Sequence, residues 1–117
     1  MTTKQKLILF LISCDPGIKD IYKLVQVFER FEFPANIEVN LNPLLEAQLI
    51  IPTKWYNDNL KQPLAYAITT KGKTYLDENF DNKEVIDYLT AFPSPGILLE
   101  ITKSYIEKRQ SNNNNEF

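Results

Sequence analysis

Histidine is absent from the 117 residues. That one absence removes the Ser-His-Asp and Cys-His nucleophile schemes, His-ligated zinc and a histidine general base together. The single cysteine, Cys14, permits neither an internal disulfide nor a Cys-x-x-Cys metal site, which fits a reducing compartment. Glycine is scarce and scattered as Gly17, Gly72 and Gly96, so there is no glycine-rich loop to cradle a phosphate or dinucleotide. Long apolar runs are missing too. Residues 7–12 form an unbroken apolar stretch, far short of the ~20 residues a membrane-spanning helix needs. Lys4 and Lys6 precede that stretch as in a secretory leader, but Asp15-Pro16-Gly17 stands where a small-residue cleavage site would be, so a cytoplasmic protein is expected. A surplus of positive charge is also lacking. Thirteen Lys and Arg face fifteen Asp and Glu, a net charge of −2, which excludes a globally basic nucleic-acid binder while leaving room for a local basic patch.

What is present suits one soluble domain with one core: 44% of residues are hydrophobic and 24% charged. Residues 3–14 begin with helix-forming Lys and Gln and end in the apolar run. A Thr2 or Thr3 cap favours a helix, although a buried strand shares the pattern. Ile18, Ile21, Leu24, Val25 and Phe28 recur at helical spacing and predict a helix over 18–31, closed by Phe33-Pro34. Residues 35–40 read equally as a helical turn or a connector. Asn40 as a cap and Pro43 in the first turn predict a third helix ending near Gln48, with Leu24 of the second helix and Leu45 of this one in the core.

Residues 50–56 and 64–69 are rich in β-branched and aromatic side chains and predict a hairpin, joined through a polar turn region over 57–63. Thr69 caps a helix reaching Phe80. Asp81 with Glu84 resembles a capping box opening a helix over 82–92, and Pro93-Ser94-Pro95-Gly96 separates it from a last helix over 96–109. The polar tail, residues 110–117, is expected to be disordered. The fold class is thus mainly α with a small β-hairpin (α+β). Val85, Ile86, Leu89 and Phe92, with Leu98, Ile101 and Tyr105, exceed what a three-helix core needs and predict a homodimer through the C-terminal helices.

Two motifs carry a resemblance. Leu41-x-x-Leu44-Leu45-x-x-x-Leu49-Ile50 is similar to the third helix of winged helix-turn-helix proteins running into the first wing strand. Tyr66-x-Ile68-Thr69-x-x-Gly72-x-x-x-Leu76 is similar to the second wing strand closing on the next helix. Within that superfamily the chain most resembles small bacterial transcriptional regulators of the PadR and MarR type. The resemblance covers about residues 4–80 and implies a winged-helix domain over 1–80, with two extra C-terminal helices over 81–109 that dimerise. It further implies a DNA-binding regulator of transcription acting as a homodimer, with double-stranded DNA as partner; the residues themselves offer no catalytic set and no cofactor motif, so neither an enzymatic activity nor a cofactor is expected. Gln48 stands where the family commonly has Gly. The segment 34–53, which includes the third helix, contains Glu38 and Glu46 and no basic residue, whereas such helices usually bring cations to the major groove.

The basic residues concentrate instead in the wing and the helix after it, as Lys54, Lys61, Lys71 and Lys73. These suit phosphate contacts, with Tyr56, Asn57, Asn59 and Gln62 as additional sugar or backbone contacts. The same lysines also serve solubility and edge protection on an exposed hairpin. Asn36, Asn40 and Asn42 offer the donor–acceptor pair that matches an adenine edge, and Asn40 and Asn42 equally suit caps and turns. Trp55 can stack on a base or pack half-buried, and Cys14 reads as an inert core thiol. Asp77, Glu78 and Asp81 read as a solvated acidic face, not a catalytic pair. The alternative function is a winged-helix protein–protein interaction module that does not bind DNA, its acidic third helix turned toward a protein partner.

Overall fold

A computed structural model of the chain describes residues 1–29, 37–56, 59–93 and 95–114. Their order is α1 (Thr3–Ser13), α2 (Ile21–Glu29), α3 (Ile37–Glu46), β1 (Ile50–Tyr56), β2 (Asn59–Ile68), α4 (Thr70–Asn79), α5 (Asn82–Thr90) and α6 (Gly96–Asn114). The architecture is helical with one two-stranded antiparallel sheet. No helix among the described residues is long and apolar enough to cross a membrane.

Helix α1 is the axis of the core. Thr2 and Gln5 close a reciprocal capping box at its start, each side chain accepting from the other's backbone N–H. Residues 7–12 are all buried, because α3, β2, α4 and α5 pack around this one helix. A helix enclosed on every side has no polar stripe, so its sequence shows no helical period.

Helix α2 starts at Ile21, three residues later than the apolar spacing predicts. The Asp20 carboxylate accepts from the backbone N–H of Tyr22 and Lys23 at 2.8 and 3.3 Å and caps the helix there. The residues before it are extended. Tyr66 donates its N–H to the Lys19 carbonyl at 3.0 Å, and Asp20 pairs with Ala65 of β2. Ile18 is buried from this extended segment, which is why it fell into the helical stripe. The end of α2 near Pro34 lies outside the described residues.

Helix α3 starts at Ile37, so Asn40 is an interior residue and not the cap that was expected. Pro43 therefore also lies inside the helix, where it cannot donate to the Val39 carbonyl. Leu41, Leu44 and Leu49 are buried, as is Leu24 of α2, whereas Leu45 is only half-buried, a correction to its expected place in the core. The helix ends in a Schellman arrangement: Leu49 N–H reaches the Leu44 carbonyl and Gln48 N–H the Leu45 carbonyl, both at 3.0 Å. Gln48 holds the left-handed position at φ 61°.

In the hairpin, Ile50 pairs with Ile68 and Tyr56 with Asn59. Strand β2 thus begins five residues before the expected Leu64, and only residues 57 and 58 separate the strands. Pro63 was read as part of a turn, but it sits within β2 opposite Trp55, where a two-stranded sheet tolerates its missing N–H. The register shifts between Pro52 and Tyr56.

Thr69 locks the hairpin to α4. Its hydroxyl accepts from Gly72 N–H at 2.9 Å and donates to the Gln48 carbonyl at 2.7 Å. Gly72 is obligatory on steric grounds, since an added Cβ would collide with the Leu49 carbonyl oxygen and stand 2.7 Å from Ile68 Cγ1. Asp81 caps α5 through Lys83 and Glu84 N–H, but the Glu84 carboxylate does not complete the capping box. It accepts from Thr3 Oγ1 at 2.8 Å and pairs with Lys6 Nζ at 3.5 Å, tying α5 to α1.

Helix α6 runs to Asn114, so residues 110–114 continue a helix where a tail was expected. Val85, Leu89, Leu98 and Ile106 are buried inside the protomer, and Ile86, Phe92, Ile101 and Tyr105 pack partly buried against the same core. Ile86, Phe92, Ile101 and Tyr105 keep part of their surface open, and Ile97 at the start of α6 is exposed.

Candidate functional site

The hairpin is held over its lower half, by residues 19–20 against Ala65 and Tyr66 of β2 and by the Leu49–Gly72 approach at its base. Lys54 projects from β1 opposite Ala65, and Lys71 and Lys73 project from the first turn of α4; all three are exposed. None of the three ammonium groups forms an ion pair among the described residues, and no carboxylate occupies the first turn of α4. Three unpaired cations therefore stand on neighbouring rigid elements. Asn36 and Asn57 lie outside the described residues, as do the side chains of Tyr56, Asn59, Lys61 and Gln62, whose backbones belong to the hairpin.

The outward face of α3 is different in kind. Val39, Asn42 and Glu46 are exposed at i, i+3 and i+7, and Val39 retains 58% of its surface. Ile51 in β1 is 51% exposed. Asn42 is thus available at the surface, while Asn40 is half-buried and apart from it. Trp55 is half-buried, which fits packing better than a free stacking platform.

A second constellation joins residues far apart in sequence. A cavity of about 390 Å³ opens where the end of α1, helix α4 and helix α6 meet. Phe10, Leu76 and the Tyr105 ring give it apolar walls, and Lys73, Lys108, Arg109, Asp15 and Asp77 supply charge. Arg109 donates to Asp77 Oδ1 at 2.7 Å, with its guanidinium carbon 5.8 Å from the centre of the Phe80 ring. Phe80 in turn stacks on Phe10 at 4.3 Å and 14°. Lys108 Nζ lies 5.6 Å from the Tyr105 ring centre, and the Tyr105 hydroxyl accepts from Gly17 N–H at 3.1 Å.

Cys14 also lines this cavity. Burial pushes its thiol up to about 11, outweighing the Ser13 hydrogen bond and the nearby Arg109, Lys19 and Lys108 charges that pull it down. The thiol donates to the Phe10 carbonyl at 3.1 Å and stays protonated at neutral pH. Sequence reading missed Tyr105, Lys108 and Arg109, because the segment 77–117 carries more acids than bases. The available signal was their spacing at i, i+3 and i+4, which places all three on one helix face. No protein-family model, curated protein or solved structure matches the chain.

Proposed function

We propose that this chain is a DNA-binding transcriptional regulator of winged-helix type that acts as a homodimer, with Lys54, Lys61, Lys71 and Lys73 contacting phosphate. The single observation that carries this reading is the rigid mounting of unpaired cations: Lys54 on a hairpin pinned to residues 19–20, and Lys71 and Lys73 on the helix locked to that hairpin by Thr69. Phosphate contacts fix register and orientation on a duplex only when their donors are held at fixed spacing. The element order α1, α2, α3, β1, β2 further supports a winged-helix reading, with α3 leading directly into the hairpin. The outer face of α3 contributes Asn42 as the direct reader of a base edge. Few cations per protomer make for weak half-site binding, which pairing of two copies offsets by raising the effective concentration of the second contact.

Titration of the full chain with double-stranded genomic fragments at low salt, with light scattering for its mass, tests both parts. Saturable binding by a protein of twice the 13.6 kDa chain mass supports the reading. Absence of binding at low salt overturns DNA recognition, and a monomer that binds DNA overturns the pairing.

One observation favours a second reading, a protein–protein interaction module. Val39 and Ile51 leave apolar surface exposed on α3 and β1, while Glu46 makes the α3 face repel phosphate. If the chain fails to bind DNA, that face is where a protein partner docks.

A further inference from the structure

We propose that the cavity between α1, α4 and α6 is a binding site for a small organic monocarboxylate with a compact apolar body. The site stands whether or not the hairpin binds DNA. Its volume of about 390 Å³ lies near the lower end of the range for small-molecule pockets, roughly 300–1,000 Å³. Phe10 and Leu76 form a buried apolar floor. Lys73, Lys108 and Arg109 line the cavity together with Asp15 and Asp77, leaving a surplus of one positive charge there.

That surplus selects the ligand. One carboxylate neutralises it, whereas a dianionic phosphate ester adds a charge that Asp15 and Asp77 repel. The donors suit a carboxylate as well. Arg109 uses one nitrogen on Asp77 and has further N–H groups, which a carboxylate can engage side by side. Lys108 rests on the Tyr105 ring and forms no ion pair among the described residues. Tyr105 accepts from Gly17, so its own hydroxyl proton is left to donate, with no acceptor among the described residues. These groups come from both ends of the chain and converge only in the fold.

Cys14, the sole cysteine, is a built-in reporter on the cavity wall. Benzoate is the probe, benzamide its uncharged counterpart and phenyl phosphate the dianionic one. The isotope-labelled full chain is titrated with each to about 10 mM, a range that detects millimolar affinity. Benzoate is expected to give saturable shifts at Cys14, Lys73 and Tyr105 and to slow alkylation of Cys14 by neutral iodoacetamide. Benzamide and phenyl phosphate should bind about tenfold more weakly, and exposed Lys108→Gln should weaken benzoate by about tenfold without altering the circular dichroism. Three results overturn the proposal: no saturable shifts with benzoate, shifts confined to residues away from the cavity, or benzamide binding equal to benzoate.

Discussion

Helices α1 and α3 have similar lengths and opposite fates. Residues 7–12 of α1 are buried on all sides, whereas α3 buries Leu41 and Leu44 and turns Val39, Asn42 and Glu46 to solvent. The enclosed residues contribute stability, with Phe10 also reaching the cavity wall, and Val85, Leu89 and Leu98 of α5 and α6 are buried in the same core. Recognition is left to what stands outside: the α3 face, the hairpin and the mouth of the α1/α4/α6 cavity.

The contrast should appear first in stability. Leu9→Ala in α1 is expected to cost ~2–5 kcal/mol, as removal of a fully packed leucine does, and Leu44→Ala a similar amount. Leu45→Ala should cost less than Leu44→Ala because Leu45 is half-buried, and Val39→Ala should stay within about 0.5 kcal/mol. Chemical denaturation of the four variants checks the order. Equal losses at Leu44 and Val39 would break the division between an inner and an outer face of α3.

Thr102 sharpens the same division from α6. It is fully buried, and its hydroxyl has no hydrogen-bond partner among the described residues. Thr102→Val keeps the shape, removes the unsatisfied group and is expected to raise stability by about 1 kcal/mol. The same denaturation measurement reads it, and a loss of stability would mean the hydroxyl is satisfied. At the end of α3, Gln48 occupies the left-handed position at φ 61°. Gln48→Gly should therefore raise the thermal midpoint by the equivalent of ~0.5–1 kcal/mol, the strain relieved being partly offset by glycine's greater unfolded entropy.

Cys14 marks the boundary between enclosed and open regions. Its folded pKa, about 11, lies above the ordinary value of 9.0, so the folded state holds the proton more tightly than the unfolded chain does. The resulting stabilisation is complete below pH 9.0 and lost as pH rises toward about 11. Alkylation of Cys14 should accordingly still be accelerating at pH 10. A plateau near the pH of a free thiol, about 8.5, would show a more open site.

Much of the fold was legible in local chemistry. The Thr69 cap and the Asp81 cap depend on neighbours a few residues away, and β1 spans the residues its pattern indicates. Boundaries failed where one residue supports two local structures. Asp20 both ends an extended pairing and caps α2, Asn40 and Pro43 imitate a helix start inside α3, and Pro63 imitates a turn inside β2. The lysines of the hairpin stood out as a cluster in sequence. The cavity did not, because Phe10, Lys73 and Arg109 become neighbours only through tertiary packing, and segment charge concealed Lys108 and Arg109 among acids. The apolar stripes of α5 and α6 were visible, but whether they pair with another copy or close the core depends on α1, whose period is silent.

On the proposed function, the outer cations, not the α3 face, supply the attraction to DNA. Binding constants measured across salt concentrations for the wild type and the Lys54→Gln, Lys61→Gln, Lys71→Gln, Lys73→Gln quadruple variant test it most directly. The expected result is weaker binding to every fragment and a log–log salt slope shallower by about 0.9 for each phosphate contact removed, hence by roughly 3–4 per protomer. Identical affinities and slopes for the two proteins would contradict it.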